Sequence, residues 1–200
     1  MLKIEVYQRA IRRNLWEIQQ ARLTWCVLCA FDRHLKNREI YHLPPSFFSI
    51  AQDALYDSTL MHAIKVLDRN RDSATFWGIF DTALDKIRRL NCYTEEKMVH
   101  LAKLEPKLKL VRDKTLFHID KGAVLDPPAI WREAGIAPDE FKSGLEYVWE
   151  ILRGLHIAEF NREYSDLCER YKGEDVAQIL DLACSNGILQ AGVQPVASGS

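Results

Sequence analysis

The sequence predicts an all-α fold: an up-and-down helical bundle of four main helices with additional C-terminal helices. Two observations carry the helical prediction. Apolar residues recur at spacings of three and four through most of the 200 residues, and no segment alternates as a strand would. The breaks between these runs fall at helix punctuation, such as Leu43-Pro44-Pro45-Ser46, Asn70-Arg71-Asp72-Ser73 and Asp126-Pro127-Pro128.

The first helix is expected over residues 2–36. Ile4, Ile11, Ile18 and Trp25 repeat every seventh residue, with Asn14, Ala21 and Leu28 beside them, a seam for packing on other helices. The second is expected over residues 46–69. Its first half, with Phe47, Phe48, Ile50 and Ala51, is apolar on several sides, which predicts a central position. Asp57, Met61, Ile64 and Asp68 share one of its faces. His62 lies on a neighbouring face and reads as a satisfied structural histidine. A short third helix is expected over residues 74–90, capped by Asp72 or Ser73, with Phe76, Ile79, Phe80, Ala83, Leu84 and Ile87 buried.

Thr94 is placed to cap the fourth helix, and Glu95 and Glu96 occupy a first turn that favours negative charge. Pro106 predicts a kink or a fresh start there. Gly122 closes this helix. A loop of about fifteen residues, holding Trp131 and Arg132, leads to a fifth helix that starts near Pro138. Its stripe is Phe141, Leu145, Val148, Leu152 and Leu155, and it is expected to run on through Tyr164 and Tyr171 to Gly173. A short amphipathic segment, 176–183, follows. Residues 1–186 are read as a single helical domain and 187–200 as a flexible tail.

Hydrophobic residues make up 48% of the chain and charged residues 28%, an ordinary globular balance. A net charge of −1 offers no global basic field, so any polyanion site has to be a local patch. Five cysteines, mostly in apolar runs, point to reduced thiols and a cytoplasmic protein. Cys26 and Cys29 form a lone CxxC pair inside an apolar stretch, which reads as core filling rather than as a zinc or redox site. The longest apolar run, Leu23 to Phe31, is far short of the ~20 residues that span a bilayer, so no membrane partner is expected.

Phosphate-binding, dinucleotide, serine-hydrolase and zinc-protease motifs are absent. One stretch stands out: Leu108-Lys109-Leu110-Val111-Arg112-Asp113-Lys114-Thr115-Leu116-Phe117-His118. At about 100° per residue, Leu104, Leu108, Val111, Thr115 and Ile119 form a narrow core-facing stripe. Arg112 and His118 flank it on opposite sides, about 120° apart. A fixed cation and an imidazole beside a core strip need partners. Arg112 can pair with Asp68 or Asp57 from the second helix, and His118 can cap the end of its own.

The pattern from Arg112 to His118, near the end of the fourth helix, resembles the signature of the HEPN superfamily. These are all-helical domains, many of them ribonucleases of toxin–antitoxin, CRISPR and phage-defence systems. Val66-Leu67-Asp68, the short third helix, and Arg112-Asp113-Lys114 followed by His118-Ile119-Asp120 are similar to its abortive-infection AbiU-type branch. The resemblance spans roughly residues 45–125. It departs at Phe117, where a small residue is expected before the histidine. It implies a metal-independent endoribonuclease with no cofactor, built as a homodimer with a composite cleft. RNA would be its substrate, and an antitoxin or regulatory protein a further partner. His118 would be the acid/base, Arg112 the phosphate ligand, Asp113 an orienting group and Lys114 a second phosphate contact, with Asp68 and Thr115 in support. Many HEPN-like domains are instead non-catalytic binding modules, and that alternative stands beside the enzyme reading.

Overall fold

The computed structural model describes residues 2–40, 47–70, 73–115, 132–171 and 173–189, with only the backbone of Thr115. Among them all regular structure is helical: α1 (Ile4–Asn37), α2 (Phe47–Leu67), α3 (Phe76–Ile87), α4 (Glu95–Thr115), α5 (Pro138–Phe160) and α6 (Glu174–Ser185). The fold is therefore an all-α bundle with added C-terminal helical structure. No described helix is long and apolar enough to cross a membrane. The chain forms two units: residues 1–22 with 60–166, and residues 23–59 with 167–200.

The first unit is built around α5. Phe141, Leu145, Val148, Leu152 and Leu155 are all essentially buried, as the stripe requires. Each such side chain contributes roughly 1.5–3 kcal/mol by leaving water. Helix α5 packs on α3 and α4. Gly144 permits the close approach to α4, because a Cβ there would overlap the Leu104 side chain. Next to it the ring of His100 on α4 meets the Glu140 carbonyl at 2.9 Å, and Lys107 donates to Glu140 at 2.7 and 2.9 Å. Glu140 also accepts the Ala137 backbone N–H at 3.4 Å, which covers one orphan donor at the start of α5.

Helix α4 runs unbroken through Pro106, so no fresh start occurs there. Thr94 caps it as expected, accepting the Lys97 N–H at 3.3 Å. Helix α3 is shorter than its pattern predicts. It begins after Thr75, whose side chain makes no cap bond, rather than after Asp72 or Ser73. Trp77 adds to its buried face and donates to the Leu67 carbonyl at 2.8 Å. Helix α5 does not continue to Gly173. It stops at Phe160, where Asn161 turns left-handed at φ 47°, a conformation asparagine tolerates better than most residues.

On α1, Ile11, Asn14, Ile18 and Ala21 are buried, but Ile4, the first residue of the heptad seam, is exposed. Asn14 donates to the carbonyls of Ala10 and Ala74. Arg22, also buried, donates to both carboxylate oxygens of Asp166 at 3.0 Å, pairs with Glu146 and lies over the Trp149 ring at 4.6 Å.

In the second unit Ala30, Phe31, Leu35 and Ile40 pack with Phe48 and with Val176, Leu180 and Ala183 of α6. Leu189, beyond α6 in the expected tail, is buried in the same cluster. Gly173 sits at φ 72°, and a Cβ there would come within 2.8 Å of that of Ala30. The first half of α2 is not central: Phe47 and Ile50 are mostly exposed, and Phe48 alone of the three is buried. Cys29 is exposed rather than core, and all five cysteines are free thiols.

Removing Asp166 strands a buried guanidinium, so Asp166→Ala is expected to destabilise the protein by about 3–5 kcal/mol. Glu146→Ala, at the solvent side of the same arginine, should cost under about 1 kcal/mol. Urea midpoints of the two variants test this contrast.

His156 gives a pH prediction. It is buried between Phe160 and Tyr164, and its Nδ1 lies 2.9 Å from the Arg162 carbonyl. Burial lowers its pKa, and the nearby Arg12 and Arg162 charges act in the same direction, against the carbonyl bond. The unfolded chain then binds the proton more readily, so stability falls as pH drops below about 6.5 and levels off below the folded-state pKa. His156→Phe should flatten that slope in thermal melts between about pH 7 and pH 5.

Candidate functional site

The site predicted from sequence centres on the last turns of α4, and the structure shows how α2 frames them. Leu104, Leu108 and Val111 are buried and hold α4 in register. That register turns Arg112 toward the end of α2. Asp68 lies one residue past α2, its N–H still bonded to the Ile64 carbonyl at 2.9 Å, so its carboxylate is fixed by helical backbone. Arg112 Nη1 donates to Asp68 Oδ2 at 2.8 Å. Its Nε and Nη2 both engage Asp113 Oδ1, also at 2.8 Å. Two carboxylates thus clamp one guanidinium from two sides.

Of the two alternatives on α2, Asp68 is the partner. Asp57 belongs to the second unit, and burial together with the neighbouring Asp53 charge raises its carboxyl. The crevice between α2 and α4 beside Arg112, bordered by Ile64, Leu108 and Lys109, offers about 10 Å³. That is room for about one water and no more. Lys114 bonds both oxygens of Glu133 at 2.7 Å, so a carboxylate occupies the ammonium assigned to phosphate. Glu133 falls within the stretch expected as a loop, where no local pattern ties it to α4.

The structure therefore brings together Asp68, Arg112 and Asp113, and places Lys114 one turn-edge away with Glu133. His118, Gly122 and Trp131 lie outside the described residues, as does the side chain of Thr115. Among the described residues no cluster of three or more histidine, cysteine or carboxylate side chains is arranged to hold a metal.

A second polar centre was only half legible. Glu17 sits in an apolar stretch of α1 and is buried. Its Oε2 meets His62 Nδ1 at 2.5 Å and Lys65 Nζ at 3.7 Å, and its Oε1 takes Arg13. Burial alone would raise this carboxyl. The His62 bond and the Lys65 and Arg13 charges outweigh it and hold the group below the usual carboxylate range. His62 has the partner a structural histidine needs, and its ring edge rests against Trp16 at 5.6 Å. An acid flanked by Trp16 and Ile18 was the available signal.

Compared with known protein families, curated proteins and solved structures, the chain matches none.

The two carboxylates of the clamp should be unequal. Asp68→Ala leaves a half-buried guanidinium short of its deeper partner and should cost about 1–2 kcal/mol. Asp113 is 46% exposed on its side chain, and Asp113→Ala should stay within about 0.5 kcal/mol. Chemical denaturation of both variants against the parent decides between them.

Proposed function

We propose that the chain is a metal-independent endoribonuclease of HEPN type, acting in the cytoplasm as a homodimer in phage defence or as a toxin restrained by an antitoxin. The observation that supports this reading is the clamp on Arg112. A guanidinium gripped by Asp68 and Asp113 at the end of α4 is oriented before substrate arrives, as a phosphate ligand should be. In the sequence Thr115 follows Arg112 by three residues and His118, the proposed acid/base, by six.

The chemistry asks for three things: removal of the 2′-hydroxyl proton, charge stabilisation on the phosphate, and protonation of the leaving oxygen. Imidazole serves the first and last, and a forked guanidinium the second. The sequence period sets Arg112 and His118 about 120° apart, an offset that favours assembly from two chains, each lending one group to the other.

One observation favours the second reading, a non-catalytic module that binds a protein or nucleotide partner. Arg112 finds a counter-charge inside its own chain, and the crevice at its side is closed to a nucleotide. Cleavage then requires a phosphate to displace a carboxylate.

His118→Ala and Arg112→Ala are each expected to lower RNA cleavage by at least about 100-fold with the helical signal unchanged, while the parent keeps its activity in EDTA. Toxicity on induction in a bacterial host should follow cleavage. Intact RNA with the parent protein, and equal growth of hosts expressing parent and His118→Ala, would leave the binding-module reading standing.

A further inference from the structure

We propose that the α1–α2 edge of the first unit is a docking strip for a single-stranded polynucleotide. The chain carries a net charge of −1, yet this edge gathers fixed cations. On α1, Arg9, Arg13 and Trp16 fall within about 60° of one another and are exposed. On α2 and just past it, Lys65 and Arg69 are exposed, with the half-buried His62 within about 60° of them. Glu17 joins the two rows, because Arg13, His62 and Lys65 all meet its single carboxylate. Glu17 is a positioning residue: its charge is consumed in spacing three basic groups, and the row around it stays net positive.

One exposed aromatic, Trp16, stands among these cations, as a stacking platform on a strand-tracking surface does. Trp16 is 41% exposed, with the Arg13 guanidinium 4.8 Å from its ring centre and the His62 ring edge behind it. The rest of that ring is offered to a base. One turn beyond Lys65, Arg69 lies over Trp77 at 3.9 Å. This pair borders a cavity of about 700 Å³ that Asn70 and Ser73 also line. The volume falls within the range of small-ligand sites. Carboxylates opposing the strip sit at its ends, Glu5 one turn before Arg9 and Asp81 across the cavity. Asp68, in between, is turned to Arg112.

A strand would lay its phosphates on Arg9, Arg13, Lys65 and Arg69 and stack a base on Trp16. This inference does not rest on cleavage, and its test keeps the two apart. The probe is fluorescein-labelled oligo(dT), which lacks the 2′-hydroxyl and so cannot be cut by the proposed reaction. Anisotropy with the full chain should show binding that weakens steeply between about 50 and about 200 mM salt. Arg13→Gln and Lys65→Gln should each lower the salt slope by about one, and Trp16→Ala should weaken binding about tenfold, with Trp16→Phe recovering most of it. Unchanged affinity in a folded Arg13→Glu/Lys65→Glu variant, tighter binding of the matching duplex, or no binding by the parent would each overturn the proposal.

Discussion

The ion pair between Arg112 and Asp68 ties the last turn of α4 to the end of α2, and the reading of this molecule turns on it. Neither group is at home where the fold puts it. Arg112 stands beside Leu108 and Val111, both buried, and keeps only 18% of its side chain in solvent. A cation so placed needs a counter-charge whose position is set by backbone rather than by a mobile side chain. Asp68 meets that need because the final hydrogen bond of α2 holds it. The second carboxylate, Asp113, comes from the neighbouring residue and is more exposed, so it orients the guanidinium without confining it.

The same rule governs the other charges inside the first unit. Arg22 is carried into the bundle with Asp166 and Glu146, and Glu17 with Arg13, His62 and Lys65. In both places one buried charge meets more than one partner, and the surplus partner reaches toward solvent. These networks fix side-chain directions on helices whose packing is otherwise apolar. Surface charges of such a network stand in set positions, which is what recognition of another charged molecule uses.

The helices were legible because burial follows the period. Phe141, Leu145, Val148, Leu152 and Leu155 lie on one line of α5, and every one of them is buried. What failed were the ends and the partners. Helix α5 stops at Asn161 through a left-handed turn, although the apolar spacing runs on. Apolar content put the start of α2 in the core, but Phe47 and Ile50 face solvent, because hydrophobicity does not say which face will find a neighbour. At the site, the sequence offered Asp68 and Asp57 as partners for Arg112 and did not choose between them. Glu133 beside Lys114 and Glu17 beside His62 could not be named, since no pattern in the sequence marks either acid as a partner.

The clamp also sets the terms on which a phosphate could reach Arg112. Three guanidinium N–H groups already face carboxylate oxygens, and two cations, Arg112 and Lys114, stand against three acids, Asp68, Asp113 and Glu133. The local field therefore repels an anion until a carboxylate withdraws. Asp113 and Glu133 are the ones able to do so, with side chains 46% and 54% exposed, whereas Asp68 is held by the helix behind it. A phosphate that replaced Asp113 would still find Arg112 oriented by Asp68. Catalysis at this place thus demands an exchange of partners. A purely structural Arg112 demands nothing further of its surroundings.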